Sequence, residues 1–153
     1  MVKRTAGEAA IPALPNRFPY NELLLMELLS AKSRSWYWSH TGLTLLYTST
    51  GTEKVVANAH GFDWRCAPRK VIVGVGELLP VRPFTRREVR QFERECGNGR
   101  DVGITAFPWR FEFTNLKRFR TPVPFQWPSG AITTCRVPIS VVASALKEVG
   151  VSI

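Results

Sequence analysis

The chain has 153 residues, of which 44% are hydrophobic and 22% charged, and these fractions are typical of a globular domain rather than a disordered or fibrous chain. No apolar run approaches the roughly 20 residues that a transmembrane helix needs, so we expect no membrane partner. Basic residues outnumber acidic ones by 21 to 12, which gives a net charge of +9. This balance favours a polyanionic partner such as nucleic acid, although a solubilising surface charge would produce it as well.

The arginines, the cysteines and the N-terminal segment indicate which ligands and which cellular location to expect. Fifteen of the 21 basic residues are arginine, whose planar guanidinium suits phosphate groups and stacks on bases. Cys66, Cys96 and Cys135 are far apart in sequence and neither histidine is near them, so we predict inert buried thiols, no metal and no cofactor. The N-terminal stretch lacks the apolar segment of a secretory signal, and we therefore expect a cytoplasmic protein, or one in the host cytoplasm if the chain is viral.

The beginning of the chain divides into two parts. Residues 1–18 mix alanine, proline and charge without periodicity, and we interpret them as an irregular N-terminal arm. A single domain is predicted for residues 19–153. It begins with a buried helix over residues 19–32, which has proline in its first turn, Glu22 near its N-terminus and a wide apolar stripe.

The following segments alternate irregularly between strand and helix patterns. Strands are predicted within 34–38, 42–49, 69–84, 107–119 and 131–137, and helices within 52–61, 85–96 and 138–150. Thr85 and Glu88 have the spacing of a capping box, and 121–130 is a proline-rich connection. Because helices interrupt the strands irregularly, we predict an α+β fold with a small curled sheet or β-barrel and helices packed around it.

Three separated pieces of the chain resemble the ASCH domain, a branch of the PUA-like barrels that also includes the EVE and YTH domains. "SAKSRSW" supplies Lys32, Arg34 and Trp36 in the order of the family's Gly-x-Lys-x-x-Glu-x-Arg motif, two residues shorter and without its acid. "GLTLLYTSTG" is similar to the strand that ends in His-Ala-Ser, with Tyr47 in place of the His and Ser49 at the last position, and the resemblance makes Ser49 a candidate for contact with nucleic acid. The segments "KVIVGVGELLPV" and "FPWRFEFTNLKRFRTPVPF" look like its central and aromatic strands.

The resemblance implies a PUA-like β-barrel with a cleft between the first helix and the strands. Relatives use this cleft mainly to hold RNA or a modified base, and some small members with an intact motif hydrolyse an acylated cytidine or cut RNA. We therefore predict an RNA-binding module, with DNA as the alternative ligand. A hydrolase acting on a modified nucleoside or on RNA is the second hypothesis, and a protein-interaction module whose basic charge is incidental is the third.

The first candidate site is the basic and aromatic cluster at residues 32–38. Cations along the backbone and flat side chains under the bases hold single-stranded nucleic acid. Lys32 and Arg34 provide the cations, and Trp36 or Trp38 provides the stacking surface. The alternative is that both tryptophans belong to the core and that Tyr37 is a partly exposed edge.

Further basic segments are candidates for contacts with phosphate. Trp109, Arg110, Lys117 and Arg118 interleave aromatic and basic residues, while Arg86, Arg90 and Arg94 recur at helical spacing. A solvated helix face is the favoured interpretation of the three helical arginines, whereas in the run that contains Lys117 and Arg118 the alternative is that Phe119 anchors a turn. For hydrolysis, Lys32 would act with the hydroxyl of Ser33 or Ser35, and the acid would come from elsewhere, the candidates being Glu88, Glu93 and Glu95. Residues 97–103 are predicted to form a flexible loop.

Overall fold

The computed structural model describes residues 9–97, 108–131 and 133–153. The strands in these ranges are β1 (Ala10–Phe18), β2 (Lys32–Arg34), β3 (Gly42–Thr52), β4 (Val71–Leu78), β5 (Arg82–Pro83), β6 (Trp109–Phe111), β7 (Phe113–Pro124) and β8 (Cys135–Pro138). The helices are α1 (Tyr20–Leu25), α2 (Lys54–Ala59), α3 (Arg86–Glu95) and α4 (Ile139–Glu148). The α+β class is thus confirmed, and none of these four helices is long and apolar enough to cross a membrane.

The strands form two sheets. The larger sheet has the order β7-β4-β3-β1-β8, and the smaller sheet has the order β2-β6-β5. β1 runs parallel to β3, with Leu14 opposite Leu46, and the other neighbouring strands are antiparallel. Since β7 and β8 are the two edges of the larger sheet, the described strands do not close into a barrel. The predicted barrel therefore remains a prediction.

Apolar residues cover both faces of the larger sheet. Leu14 and Leu46 belong to one buried cluster, which includes Phe92 of α3. Their neighbours Ala13 and Leu45 point the other way, into a second cluster that includes residues of α4. Burial on both faces explains why β1 and β3 carry consecutive apolar residues rather than a strict alternation.

The predicted N-terminal arm is wrong for residues 10–18, which form the strand β1 between β3 and β8. Pro12 and Pro15 made a strand improbable from local sequence, because proline cannot donate a backbone hydrogen bond. Burial of Ile11, Leu14 and Phe18 outweighs this preference. The domain accordingly includes residues that had been assigned to the arm.

The first helix is much shorter than the predicted 19–32, because α1 ends at Leu25. The amide of Glu27 donates to the carbonyl of Leu24 at 3.1 Å, and the amide of Leu28 donates to the carbonyl of Leu23 at 2.9 Å. Glu27 has a φ of 60°. This is a Schellman ending, in which the left-handed position is usually glycine. The absence of glycine hides the helix end from sequence analysis.

The strand predicted at 34–38 is shifted toward the N-terminus. β2 pairs with β6 through Lys32, Ser33 and Arg34, and the chain bends directly after Arg34. Trp36 and Trp38 then pack against the core from outside the strand. Lys32 accordingly lies on a strand rather than at the end of a helix.

Most of the later elements agree with the sequence patterns. β4 lies inside the larger sheet, and α3 begins at the predicted capping box, where Thr85 Oγ1 accepts from the Glu88 amide at 3.2 Å. The strands predicted at 69–84 and 107–119 are instead each divided between the two sheets, the first into β4 and β5 and the second into β6 and β7. Part of the predicted proline-rich connection continues β7 as far as Pro124. Phe107 and the loop residues 98–103 lie outside the described residues.

The three cysteines differ in exposure. Cys96 is buried and Cys135 is partly buried, but Cys66 is exposed, so the prediction of buried thiols is wrong for Cys66. Its Sγ donates to Oδ2 of Asp63 at 3.6 Å. Burial raises the pKa of Cys96 to about 12 and that of Cys135 to about 11, which keeps both thiols protonated at neutral pH.

The helix end at Glu27 gives a test of the fold. A left-handed conformation costs a non-glycine residue roughly 1–2 kcal/mol. Glycine avoids this cost, but its greater conformational entropy in the unfolded chain offsets part of the gain. We expect Glu27→Gly to raise the free energy of unfolding by about 0.5–1 kcal/mol in urea denaturation. Glu27→Ala retains the unfavourable conformation and should give no gain. A glycine variant no more stable than the alanine variant would contradict this role of Glu27.

Candidate functional site

A pocket of about 350 Å³ lies where β1, β2 and β3 meet the segment after β7. Cationic, aromatic and hydroxyl side chains line it together. They include Arg17, Arg34, Tyr47, Ser49, Lys70 and Trp127. Its volume falls within the range of roughly 300–1,000 Å³ that is usual for small-ligand sites. We refer to it as the β1–β3 pocket.

Arg34 is fixed beside the pocket by β1. Its Nη2 donates to the carbonyl of Pro15 and to Oδ1 of Asn16. Asn16 Nδ2 donates to Asn21 Oδ1 at 2.7 Å, and Asn21 Nδ2 donates to Thr48 Oγ1 at 3.1 Å. Asn16 and Asn21 are only 2% and 1% exposed. A buried network with these partners is rigid, so the guanidinium is held in one position.

The charge of Arg34 is incompletely compensated. Burial lowers its pKa to about 10, so the guanidinium remains charged at neutral pH. Within the described ranges, its Nε has no hydrogen-bond partner and none of the ion pairs includes Arg34. A desolvated cation without a carboxylate is energetically costly, and such groups cluster at functional sites. An anionic ligand in the pocket would reduce this cost.

Lys32 lies on the same face of β2 as Arg34, two residues away. Its ammonium is largely desolvated by the surrounding protein. Its Nζ lies 4.2 Å from the centre of the Tyr20 ring and donates to the Ser33 carbonyl at 3.1 Å. Burial, followed by the positive charge of Arg34, lowers the pKa of Lys32 to about 7. Lys32 does not line the β1–β3 pocket, but it adds a charge near Arg34 that titrates around neutral pH.

Trp127 and Tyr47 form an aromatic wall of the pocket. Their rings stack with centroids 4.7 Å apart and an angle of 27° between the planes. Trp127 Nε1 donates to the carbonyl of Ala131 at 2.6 Å, and the Tyr47 hydroxyl donates to the carbonyl of Phe125 at 3.3 Å. Burial raises the pKa of Tyr47, so its hydroxyl is neutral at physiological pH. These bonds hold the aromatic surface in place.

Arg17 and Lys70 add positive charge to the pocket lining. Arg17 Nη1 lies 3.1 Å from Oε1 of Glu53, and its side chain is largely exposed. An exposed ion pair of this kind contributes only about 0–1 kcal/mol, so a phosphate can compete for Arg17. Lys70 is exposed, and its backbone amide donates to the Thr48 carbonyl at 2.8 Å.

Only two of the residues predicted from the sequence line this pocket, namely Arg34 and Ser49. Arg17, Lys70 and Trp127 were not predicted as site residues. Arg17 belongs to the segment predicted to be an irregular arm, and Trp127 belongs to the predicted proline-rich connection. Tyr47 had been noted only where relatives have a histidine. No local pattern joins these positions, because strand pairing between distant segments brings them together.

The predicted aromatic residues form a separate group against the smaller sheet. Trp36 packs with its ring centre 6.0 Å from Trp38 and 5.1 Å from Phe111, and Tyr37 lies 5.1 Å from Trp109. The three tryptophans are half-buried against the core, whereas Tyr37 is 57% exposed. This is the arrangement expected if the tryptophans are core residues, and none of the group lines the β1–β3 pocket.

Arg110 is part of a charged network at the start of α3. It is 7% exposed, its Nε lies 3.0 Å from Glu88 Oε2, and its Nη1 contacts Glu112. Hydrogen bonds from Arg82, ahead of the bond from the Thr85 amide and the charge of Arg110, hold the pKa of Glu88 at about 2. Arg110 thus joins β6 to α3 and lies away from the β1–β3 pocket.

Lys117 and Arg118 also lie elsewhere. Lys117 Nζ donates to the carbonyl of Val149 at 3.1 Å, which ties β7 to the end of α4. Arg118 Nη1 lies 2.7 Å from Oε2 of Glu22. Arg118 and Phe119 line a second, more apolar pocket of about 430 Å³. The residues predicted to contact nucleic acid therefore do not form one surface.

Two of the three carboxylates considered for hydrolysis, Glu88 and Glu95, are engaged in other contacts. Glu88 binds Arg82 and Arg110, and Glu95 accepts from Ser30 Oγ at 2.6 Å. Glu53, which was not among the predicted acids, instead contributes to the electrostatic environment of Lys32. The hydroxyl of Ser33 is buried, and Lys32 contacts its carbonyl rather than its side chain.

Comparisons with protein-family models and with curated proteins give no match. Among residues 9–97, 108–131 and 133–153, no group of three or more His, Cys, Asp or Glu side chains is placed to hold a metal ion. The arrangement of cations and aromatic rings around the β1–β3 pocket is therefore the observation from which function is inferred.

The lowered pKa of Lys32 predicts a pH-dependent change in stability. The pKa of Lys32 is about 7 in the folded state and about 10.4 in the unfolded state. The buried ammonium therefore destabilises the folded state fully below pH 7, and this destabilisation diminishes as the pH rises to about 10. Lys32→Met should therefore raise the free energy of unfolding by a few kcal/mol at pH 6, since one pKa unit corresponds to about 1.4 kcal/mol.

Denaturation of wild type and variant in urea between pH 6 and about 10 measures this effect. The stability difference should shrink over that interval. Lys147→Met, which removes an exposed ammonium, is the control and should show little pH-dependent difference. If the two variants change the free energy of unfolding equally at every pH, the charged form of Lys32 does not destabilise the folded state.

Proposed function

We propose that this protein is an RNA-binding module that holds single-stranded RNA, or one modified base, in the β1–β3 pocket. The proposal rests on the convergence of Arg17, Arg34 and Lys70 around the stacked rings of Trp127 and Tyr47. Single-stranded nucleic acid is held by cationic grooves and by aromatic side chains on which bases stack. Both elements meet in this pocket.

Each side chain has a distinct role in the proposed complex. Trp127 stacks on a base, and its ring is positioned by Tyr47 and by its own bond to Ala131. Arg17 and Lys70 contact phosphates. Arg34 supplies a fixed positive charge, and the Ser49 hydroxyl forms hydrogen bonds with the sugar or the base edge.

The other residues predicted from the sequence have indirect roles in this proposal. Lys32 contributes its charge near Arg34. Trp36, Tyr37, Trp38, Trp109 and Arg110 stabilise the smaller sheet. Lys117 and Arg118 hold β7 to α4 and α1 through their contacts with Val149 and Glu22.

A PUA-like domain of the ASCH type is part of the same proposal, as is a cytoplasmic location. Arg34 lies in "SAKSRSW" and Tyr47 and Ser49 lie in "GLTLLYTSTG", two of the pieces that resemble this family. Their common position at one pocket supports the resemblance. Asn21 of α1 contributes to the network that holds Arg34, in keeping with a cleft between the first helix and the strands.

The aromatic wall provides a direct test of RNA binding. Stacking contributes roughly 1–3 kcal/mol per base, so Trp127→Ala should weaken binding of a short oligouridylate about 5- to 150-fold. Trp127→Phe keeps a stacking surface and should retain most of the affinity. Fluorescence anisotropy with a labelled oligonucleotide measures the dissociation constants.

Tyr37→Ala is the matched control, because Tyr37 is an exposed aromatic residue outside the pocket. It should leave the affinity unchanged. Loss of binding in Tyr37→Ala but not in Trp127→Ala would assign RNA to the aromatic group on the smaller sheet instead. If wild type binds no oligonucleotide at low salt, the proposed function is wrong.

Hydrolysis of a modified nucleoside is a second candidate, favoured by the pKa of about 7 at Lys32. A lysine that is partly neutral at physiological pH can accept a proton, as a general base must. If it does so, incubation with an acylated cytidine should release cytidine, and Lys32→Met should abolish turnover. Absence of turnover in wild type, together with no cleavage of labelled RNA, would eliminate the hydrolase.

A further inference from the structure

Helix α3 has an arginine-rich side that faces solvent. At 3.6 residues per turn, Arg86, Arg87, Arg90 and Arg94 fall within an arc of about 100°. All four are exposed, whereas Phe92 lies on the opposite side of the helix and is buried. We call these four residues the α3 arginine face.

The acidic residues of α3 neutralise this face only in part. Glu88 and Glu95 project to the opposite side of the helix. Glu88 contacts Arg82 and Arg110 there, and Glu95 accepts hydrogen bonds from Ser30. On α3 itself, only Glu93 projects close to the α3 arginine face. The face thus carries four positive charges and one nearby negative charge within the helix.

Both ends of α3 are anchored to the rest of the domain. The capping box of Thr85 and Glu88 closes its N-terminal end, and Glu88 is held by Arg82. At the C-terminal end, Ser30 binds the Glu95 side chain and His60 Nε2 lies 2.7 Å from the Glu95 carbonyl. The four guanidinium groups therefore project from a fixed support.

The spacing of the arginines fits a phosphate backbone. Arg86 and Arg94 are separated by roughly 12 Å along the helix axis. A strand in a duplex presents a phosphate about every 3.4 Å of axis, and the phosphates of an extended single strand are farther apart, so this length spans about two to four phosphates. Without an anion, like charges spaced i,i+4 oppose the helix by about 0.2–0.5 kcal/mol per pair. Guanidinium forks also suit phosphate oxygens better than the compact ammonium of lysine does.

An anionic membrane fits the face less well. Helices that lie on a membrane insert an apolar side into the acyl region. The apolar side of α3 is instead occupied by the core, through Val89, Phe92 and Cys96. We infer that the α3 arginine face is a second contact surface for the phosphate backbone of the RNA held in the β1–β3 pocket, an inference that rests on the proposed function.

The test compares a short oligouridylate of about four nucleotides with a long one of about twenty, since binding sites for single strands span roughly 4–16 nucleotides. The triple variant Arg86→Gln, Arg90→Gln, Arg94→Gln should bind the short RNA as wild type does. For the long RNA, the slope of log affinity against log salt should become shallower by about 2, since each phosphate contact contributes about 0.7. Affinity for the long RNA should fall at least tenfold at low salt.

The control variant Arg65→Gln, Arg136→Gln, Lys147→Gln also removes three positive charges, but from exposed positions outside α3 and the β1–β3 pocket. An equal effect of the two triple variants on long RNA would overturn the inference and leave the pocket proposal intact. Long-RNA binding that depends on α3 but not on Trp127 would support the α3 surface and contradict the pocket. Binding of wild type to anionic vesicles of phosphatidylserine, with no affinity for either RNA, would overturn both.

Discussion

The parallel pairing of β1 with β3 is the contact on which the rest of this structure depends. Its register sets Pro15 opposite Tyr47 and Asn16 opposite Thr48. The pairing buries apolar side chains on both faces of the sheet, and it brings the β1 carbonyl and the Asn16 amide to the guanidinium of Arg34. Because these strands are separated in sequence by α1 and β2, the pocket exists only in the folded domain.

The same pairing contributes to the burial of two neighbouring positive charges, which is electrostatically unfavourable. The pairing encloses Arg34, and burial lowers the pKa of its guanidinium. The pKa of the nearby Lys32 is lowered more, by burial and by the positive charge of Arg34. The asparagine network satisfies part of the hydrogen-bonding capacity of Arg34 but brings no negative charge. A domain optimised only for stability would avoid such groups, whereas a site for an anion requires them. The positive charge of the chain is thus concentrated in two places, around the buried Arg34 at the β1–β3 pocket and on the exposed α3 arginine face.

Elements controlled by local interactions were predictable. The spacing of Thr85 and Glu88 indicated the start of α3, because both halves of a capping box lie within one helical turn. The run of apolar and small residues in β4 indicated an interior strand, because both faces of such a strand can be buried. The end of α1 was not predictable, since Glu27 occupies a left-handed position that sequence rules reserve for glycine. β1 was not predictable either, because its prolines disfavour a strand locally. The strand forms because its residues are buried in pairings with the distant strands β3 and β8.

The sequence by itself determined the α+β class and the strong positive charge, and it singled out Arg34 as a candidate site residue. Nearness in sequence grouped Arg34 with Trp36, whereas the structure places Trp127 at the pocket that Arg34 lines. Tertiary structure decided which groups meet: Arg17, Lys70 and Trp127 reach Arg34 through the pairing of β1 with β3 and the return of the chain after β7. Composition and local pattern record which side chains are available, but contacts between distant segments determine which of them share a pocket.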